Sequence, residues 1–396
     1  MSWAPGLALA LLALSCAVRF TTALPAYTQT ASWTSSNFLD QFDFFTGDDP
    51  THGYVDYVDR LTASSGGLVP IVNNAQQLRA DHTAIVSGNA RGRRSVRLES
   101  KQQFNGGLFL LDLAHVPVGC GTWPAYWFLG PNWPSSGEVD VIEGVHNATS
   151  NVVSFHTGAG CTQAGARQQS ATILSLNCSA DAVGCGNRAT TPASYGAEFN
   201  ANGGGVYATL WDASGIAIWL FPRPAIPADI VQNAPRPDRW PTPMANLTFA
   251  PACTSSHFAS MQIVFDLAFC GDDAGDPSVW AGSGCARRAS NCTTFVRNNP
   301  SSFVDAYFAV NSLGVFQDAS GAPGASPSSP SRDERGVAAL VLTILVVLMC
   351  GMAIFCFVLV MQRRHRRLLF QNGTSEGDSE RHRPPAGHPP LADAEV

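Results

Sequence analysis

The chain has 396 residues, of which 45% are hydrophobic and 14% charged, and its formal net charge is −6. This length leaves room for one large domain with appendages at its ends. The acidic balance, and the lack of a basic patch before the C-terminal region, argue against a nucleic-acid partner.

The N-terminal segment is apolar from Leu7 to Val18, and this run is too short to span a bilayer. Such a run is typical of a secretory signal peptide, although no Lys or Arg precedes it. We therefore predict a signal peptide over residues 1–23. Cleavage is expected after Ala23, with cleavage after Ala17 as the alternative.

Residues 24–318 contain short β-branched or aromatic runs separated by Gly, Asn, Pro and Ser, a pattern typical of strands and turns. No long segment of this region shows helical periodicity. The pattern predicts an all-β domain in which two sheets pack as a sandwich. The clearest strand candidates are SVRLES, GLFLLDL, NVVSFHT, GVYATLWD, GIAIWLF, MQIVFDLAF and SLGVFQ.

Three tryptophans lie in or next to one predicted strand. Trp123 and Trp127 share a strand face because they are four residues apart, and Trp133 lies in the connection that follows. Aromatic rings suit the apolar faces of sugars, whereas many tryptophans only pack a core. We place Trp127 in a binding cleft and expect mainly a packing role for Trp123. All three remain candidate substrate-binding residues.

The segment EVDVIE, residues 138–143, crowds three carboxylates into an otherwise apolar stretch. In a regular helix the two glutamates would point about 140° apart, and in a regular strand they would lie on opposite faces. A bulge near Val141 or Ile142 would return Glu143 to the face of Glu138 and Asp140.

Three acids on one sheet face are costly unless that face lines a wet cleft. Paired carboxylates in a cleft are the usual means of cleaving a glycosidic bond, and their crowding should raise the pKa of at least one of them. The alternatives are a loop cluster of acids and a weak calcium site. We predict Glu138, Asp140 and Glu143 as catalytic residues.

Eight cysteines lie between residues 120 and 292, and an even count in a secreted chain predicts four disulfides. Their connectivity is not fixed by spacing, but short loops favour Cys178–Cys185 and Cys285–Cys292. No cysteine or histidine cluster has the spacing of a zinc site, so no metal ligands are predicted. N-glycosylation is expected at Asn147 and Asn246. The sequons at Asn177 and Asn291 are less favoured because each has a central cysteine.

The C-terminal region predicts a membrane anchor. Residues 319–335 are rich in Ser, Pro and Gly and predict a flexible stalk. Residues 336–362 form an apolar run long enough to cross a bilayer, and the arginines that follow favour the cytoplasmic side. The tail, residues 363–396, is predicted to be disordered, and its length argues against a lipid anchor. We expect a single-pass protein of the plasma membrane or secretory pathway, with residues 24–318 outside or lumenal.

The stretch from Gly106 to His146, which contains TWPAYWFLGPNWPSSGEVDVIEG, resembles the core of glycoside hydrolase family 16. The likeness is closest to fungal endo-1,3(4)-β-glucanases of the laminarinase type. E-x-D-x-x-E is the bulged form of that family's signature. Similar segments continue in the same order to Gln317, namely SFHTGAGC, NANGGGVYATLWDASGIAIWLFPRPAIPADI, FASMQIVFDLAFCGDDAG and NNPSSFVDAYFAVNSLGVFQ.

The resemblance implies a β-jelly roll with a concave cleft and endo-acting, retaining hydrolysis of β-1,3- or mixed β-1,3/1,4-glucan. By position, it implies that Glu138 is the nucleophile and Glu143 the general acid/base, with Asp140 hydrogen-bonded to Glu138. It also implies that His156 lines the cleft. Many relatives carry Trp in place of Asp273 and Asn in place of His146, which puts specificity rather than activity in question.

Two other functions remain open. A cell-wall transglycosylase would pass the glycosyl group to a second sugar, and a non-catalytic glucan receptor would only bind. The receptor is less favoured because all three acids are present. We expect β-glucan as the partner, a monomeric chain and no cofactor; the sequence leaves a structural calcium ion open.

Overall fold

The computed structural model describes residues 27–163, 168–179 and 184–318. The predicted signal peptide (1–23), stalk (319–335), membrane span (336–362) and cytoplasmic tail (363–396) lie outside these residues. Within the described ranges, no helix is long and apolar enough to cross a membrane.

Eighteen β-strands make up most of the regular structure in the described residues. They are β1 (Tyr27–Thr34), β2 (Phe42–Phe44), β3 (Val55–Tyr57), β4 (Ile71–Val72), β5 (Ala75–Arg79), β6 (Arg93–Ser95), β7 (Arg97–Phe104), β8 (Gly107–His115), β9 (Thr122–Leu129), β10 (Glu138–Glu143), β11 (Val152–His156), β12 (Thr172–Ile173), β13 (Asn187–Arg188), β14 (Gly205–Asp212), β15 (Gly215–Pro222), β16 (Ala245–Thr248), β17 (Met261–Phe269) and β18 (Tyr307–Asp318).

The helices are short and lie in the connections. The α-helices are α1 (Arg60–Ser65), α2 (Gly196–Ala201), α3 (Ala228–Val231), α4 (Gly271–Ala274), α5 (Pro277–Gly282) and α6 (Cys292–Asn298). Single 3₁₀ turns occur at Phe38–Gln41, Pro192–Ser194, Arg223–Ala225, Pro237–Arg239, Ser255–His257, Cys285–Arg287 and Pro300–Phe303. Polar side chains cap several of them; for example, the Asn291 side chain accepts from the Thr294 N–H at the start of α6.

The strands form two large antiparallel sheets. Sheet 1 has the order β16-β15-β14-β8-β18-β5-β4, with β1 also paired to β18. Sheet 2 has the order β12-β13-β11-β10-β9-β17-β7-β2. A small separate pair, β3 and β6, is parallel. The predicted all-β sandwich is confirmed.

Alternate residues of the two sheets meet in one hydrophobic core. Phe109 and Leu111 of β8 enter it from sheet 1, and Tyr126 and Phe128 of β9 enter it from sheet 2. The rings of Phe109 and Phe128 pack edge to face with centroids 4.9 Å apart. Because side chains alternate along a strand, this burial turns Trp123 and Trp127 to the opposite side of β9, which we call the outer face of sheet 2.

Sheet 1 is buried on its other side as well. Leu108 and Leu110 of β8 join Trp219 and Phe221 of β15 in a second apolar cluster, against which Trp240 packs. This explains why every residue of β14 is buried.

Four disulfides are present among the described residues, as predicted. The Cys178–Cys185 pair is confirmed, and Cys161 pairs with Cys253. The predicted Cys285–Cys292 pair is wrong. Cys285 bonds to Cys120 just before β9, and Cys292 bonds to Cys270 just after β17. Each of the two cysteines thus ties the helical segment 277–298 to the end of a different strand of sheet 2, which sequence spacing does not show.

His146, which follows β10, is buried with 1% of its surface exposed and has a left-handed backbone, φ 58°. Its Nδ1 accepts a hydrogen bond from the Gly121 N–H at 2.9 Å, and its ring packs edge to face on Trp280. Its Nε2 has no hydrogen-bond partner among the described residues. Burial lowers the pKa of His146 to about 4, so the imidazole is neutral in the folded protein over most of the acidic range.

We expect His146→Asn to remove part of the acid sensitivity of the fold. The unfolded imidazole binds a proton near pH 6.5, whereas the folded one does so only near pH 4, so stability is lost as pH falls through this window. Relative to the variant, the wild type should lose about 2–3 kcal/mol of unfolding free energy between pH 7 and pH 4.5.

Urea unfolding of both proteins at the two pH values measures this difference. Asn tolerates the left-handed backbone, and its amide oxygen can accept the Gly121 N–H, so the variant should fold. An identical loss of stability in both proteins would contradict the account.

Candidate active site

The strand β10 contains the predicted bulge. Asp140 lies opposite Trp127 and Ile142 lies opposite Tyr126, so Val141 is an extra residue without a partner on β9. Val139, Val141 and Ile142 are buried in the core, with 2%, 0% and 0% of their surface exposed. The extra residue shifts the alternation of side chains by one position. Glu143 therefore lies on the same face as Glu138 and Asp140, the outer face of sheet 2.

A buried asparagine holds the bulge in place. The pairing of β10 with β11 ends at Asp140, opposite Ser154. Beyond that point the side chain of Asn151 takes over, donating to the Val141 carbonyl at 2.7 Å and accepting from the Glu143 N–H at 3.0 Å. Asn151 is fully buried, so these bonds satisfy backbone groups that the bulge leaves unpaired. The sequence offered no signal for this role.

Glu143 lies beside Trp123. The Trp123 Nε1–H donates to Glu143 Oε1 at 2.9 Å, and the ring also packs against the apolar cluster around Cys270 and Cys292. Gly271 makes room for the indole, since a Cβ there would lie 3.1 Å from the ring and its φ is +72°. Trp123 therefore packs, as we expected, and also contacts one of the three acids.

Glu138 lies opposite His156 on the neighbouring strand β11. The Trp133 side chain, which is half exposed, lies beside the Glu138 carboxylate and opposes the rise in its pKa, whereas the charge of Asp140 adds to that rise. Glu138 and Asp140 lie two residues apart on the same face of β10, and the hydrogen bond between them stays a prediction.

His156 also approaches the acids. Its Nε2 lies 3.3 Å from Asp140 Oδ2, and its Nδ1 has no partner in the described part of the chain. Glu138, Asp140 and His156 each offer one potential ligand atom, and these three atoms lie within 4.8 Å of one another. Two carboxylates and an imidazole at this separation could hold a divalent cation.

Burial raises the pKa of all three acids above their ordinary values. The charge of Asp140 adds to this effect for Glu138, and the charge of Glu143 adds to it for Asp140. For Glu143 the bond from Trp123 opposes the effect because it favours the ionised form. Burial and mutual repulsion therefore favour the protonated form in this cluster, which is the direction that the crowding of acids in the sequence predicts.

Two further carboxylates lie near this cluster. Asp266 of β17 accepts the Trp127 Nε1–H at 2.7 Å, and its charge contributes to the raised pKa of Glu143. Asp273 of α4 also raises the pKa of Glu143. Trp127 is thus on the outer face beside the acids, and its role in binding substrate stays a prediction. The sequence analysis did not predict a role for Asp266. A signal was present, because an acid in the largely apolar strand MQIVFDLAF must face either the core or a cleft.

Of the two favoured sequons, one lies in a surface loop and the other lies on β16, an edge strand of sheet 1. Asn147 is exposed in the loop after β10. Asn246 is half-buried in β16, where its neighbours Ala245 and Leu247 face inward. Glycosylation at either site stays a prediction.

Comparison with known proteins identifies the family. A family model described as "XgeA-like, catalytic GH16 domain" matches residues 42–316. A probable glycosidase of Schizosaccharomyces pombe is 42% identical over 297 residues, covering 74% of this chain and 69% of that protein. An endo-1,3(4)-β-glucanase of Arthroderma benhamiae is 39% identical over 294 residues, covering 72% of this chain and 64% of that protein.

Solved structures agree. Laminarinase 16A from Phanerochaete chrysosporium, with β-glucans in its donor and acceptor sites, is 40% identical with a TM-score of 0.70, covering 74% of this chain and 99% of that chain. An elongating family 16 β-1,3-glucosyltransferase is 38% identical with a TM-score of 0.70, covering 74% and 100%. The antiparallel sandwich matches the family's jelly roll, and the protein is a glycoside hydrolase. The chain belongs to glycoside hydrolase family 16.

We expect Trp123→Phe to raise the pKa of Glu143, because the substitution removes the N–H that stabilises the ionised carboxylate. The measurement is a ¹³C NMR titration of protein labelled at the glutamate carboxyls, with the Glu143 signal assigned from Glu143→Gln. Trp127→Phe is the matched control and should not raise this pKa, since Trp127 donates to Asp266 instead. An unchanged or lower pKa of Glu143 in Trp123→Phe would contradict this assignment of the hydrogen bond.

Proposed function

We propose that this protein is an endo-acting, retaining hydrolase of β-1,3- or mixed β-1,3/1,4-glucan. The observation that supports this most is the bulged strand β10, which puts Glu138, Asp140 and Glu143 on one sheet face. The endo-1,3(4)-β-glucanase and the laminarinase among its relatives support the substrate class. The chain spans 41% of the probable endo-1,3(4)-β-glucanase of Aspergillus niger, so the substrate is assigned to the matched domain.

Glu138 would attack the anomeric carbon of the bound sugar as Glu143 donates its proton to the departing glycosidic oxygen. The resulting glycosyl ester on Glu138 would then be hydrolysed by a water molecule that Glu143, now ionised, deprotonates. Two displacements at the same carbon retain the anomeric configuration. Two carboxyl groups supply both steps, so we expect no metal cofactor.

The raised pKa of Glu143 suits its role, whereas the raised pKa of Glu138 opposes the ionisation that its role requires. Burial favours the protonated form of Glu143, which a general acid needs at its working pH. Glu138 must be ionised to attack, and Asp140 would hold a proton during that step, because burial raises its pKa. Asp140 then donates a hydrogen bond to the nucleophile and restrains its carboxylate.

The sugar chain would lie along the outer face of sheet 2. Trp133 is half exposed beside Glu138, and Trp123 lies beside Glu143 at the opposite end of the acid row. Trp127 lies between them, next to Asp140. We propose that these rings contact sugars on both sides of the scissile bond, with His156 close to the ring bound at Glu138.

We expect the two glutamates to be distinguished by rescue with azide. Glu138→Ala should lose turnover, and azide that occupies the vacated space should give an α-glycosyl azide by a single inverting displacement. Glu143→Ala should lose about 10²–10⁴-fold in kcat on laminarin. With an activated aryl glycoside it should form a β-glycosyl azide, because the glycosyl ester on Glu138 still forms first.

NMR of the anomeric proton in each azide product decides between the roles. The near-isosteric Glu138→Gln variant is the control for folding and should still bind laminarin. Exchanged stereochemistry between the two alanine variants would reverse the assignment, and full activity in Glu138→Gln would refute the nucleophile.

A second candidate function is transfer of the glycosyl group to another glucan chain. The similarity to an elongating β-1,3-glucosyltransferase supports this second function. Hydrolysis and transfer share the glycosyl ester and differ only in the acceptor. A glucan receptor without catalysis is disfavoured by the presence of all three acids.

We expect hydrolysis to predominate when the purified chain acts on laminarin and lichenan. Oligosaccharide sizing should show products shorter than the substrate, spread over several lengths as endo cleavage requires. A control incubation at high laminari-oligosaccharide concentration tests transfer most strongly. Products longer than the starting oligosaccharides as the main outcome would make the protein a transglycosylase.

We also propose that the domain is held outside the cell or in the lumen. The support is the apolar segment 336–362 followed by arginines, the signal-peptide pattern in residues 1–23, and four disulfides, which form in oxidising compartments. The Ser/Pro/Gly-rich residues 319–335 would act as a stalk and residues 363–396 as a cytoplasmic tail. N-glycans at Asn147 and Asn246 and a monomeric state are part of this proposal.

A further inference from the structure

Asp266 is an acid beside the catalytic row that the reaction scheme leaves without a role. It lies on β17 opposite Ala125, which in turn lies opposite Glu143. Cross-strand partners share a face, so Asp266 and Glu143 flank a single alanine on the outer face of sheet 2. Only 9% of the Asp266 surface is exposed.

Both oxygens of Asp266 accept a hydrogen bond. Oδ1 accepts from the Trp127 indole N–H at 2.7 Å, and Oδ2 accepts from the Tyr57 hydroxyl at 3.2 Å. Arg97 lies opposite Asp266 on β7. Burial raises the pKa of Asp266 to about 6, against the opposing charge of Arg97, so the carboxylate is ionised at neutral pH.

The same residues hold the indole of Trp127. The Arg97 guanidinium lies over the Trp127 ring, 5.1 Å from its centroid, and also contacts Glu99 and the ring of Phe45. One ring face and the N–H edge of Trp127 are therefore occupied by protein groups. Because Trp127 is the direct neighbour of Asp140, a shift of this indole would disturb the floor beneath the reacting sugar.

We propose that Asp266 is a positioning residue that fixes the indole of Trp127 in the floor of the active site and sets the negative charge beside Glu143. The inference rests on the proposed function, since it assigns Asp266 a part in that reaction. Asp266 acts through Trp127 and Glu143 and does not itself contact the reacting atoms.

Asp266 is one of several charged or titratable groups around Glu143. The other groups also influence the pKa of Glu143. Those that act on Glu143 or titrate with it are Glu138 and Asp140 on β10, His156 on β11, Asp273 on α4 and Tyr195 before α2. Arg97 on β7 and Asp49 act on Asp266 itself. Loss of the Asp266 charge is expected to lower the pKa of Glu143, because that charge opposes the ionisation of Glu143.

Two variants separate the two parts of the role. Asp266→Asn removes the charge but keeps an oxygen that can accept the Trp127 N–H, so the alkaline limb of kcat/KM against pH should move to lower pH with KM nearly unchanged. Asp266→Ala removes the charge and the acceptor, so the same shift should come with a several-fold higher KM for laminarin. Asp43→Asn, which removes an exposed carboxylate four strands from β10, is the control and should change neither quantity.

NMR of the full chain supplies readouts that do not need activity. Carboxyl ¹³C titration should show a lower pKa of Glu143 in both Asp266 variants. The Trp127 indole N–H signal, assigned from Trp127→Phe, should move upfield in Asp266→Ala but stay near its place in Asp266→Asn.

An unchanged pKa of Glu143 in both variants would overturn the electrostatic part of the proposal. An unchanged indole signal in Asp266→Ala would overturn the positioning part. If the wild type cleaves no glucan, the proposed function fails, whereas the two NMR readouts still decide whether Asp266 acts on Trp127 and Glu143.

Discussion

The bulge at Val141 is the constraint on which the active site depends. In a regular six-residue strand the first and last side chains lie on opposite faces, so one of the two glutamates would point into the core. The bulge keeps Val139, Val141 and Ile142 in the core and all three acids outside it. Asn151 makes this irregularity stable, because its amide replaces the hydrogen bonds that the strand ladder no longer supplies.

The same arrangement has an energetic cost that the rest of the domain must offset. Carboxyls that are buried among one another have raised pKa values and oppose folding at neutral pH when they are ionised. The large shared core of the two sheets supplies the opposing term. Two disulfides, Cys120–Cys285 and Cys270–Cys292, restrain the ends of β9 and β17, the strands that carry Trp123, Trp127 and Asp266.

Residues with a local pattern were predictable from the sequence. Strand alternation predicted the sandwich and the shared face of Trp123 and Trp127, and the spacing of EVDVIE predicted the bulge because only an extra residue reconciles three acids with one face. The count of cysteines predicted four disulfides. These properties depend on neighbours within a few residues along the chain.

Properties that depend on distant parts of the chain were not predictable. Cys285 and Cys292 are seven residues apart, yet each pairs with a cysteine at a strand end because the topology brings the helical segment to the ends of β9 and β17. Asn151 and Asp266 are polar residues of common type whose roles follow from which strands become neighbours. A single sequence shows neither the strand order nor the contacts across it.

Trapping of the glycosyl-enzyme tests the central claim most directly, namely that β10 aims its acids at one sugar with Glu138 in line for attack. A laminaribioside with fluorine at C2 and a good leaving group slows both steps, and the ester then accumulates for mass spectrometry. The account predicts a mass gain of one glycosyl unit on the peptide that contains Glu138, at that residue. A label on Glu143 or Asp140, or no covalent adduct in an enzyme that still cleaves laminarin, would contradict it.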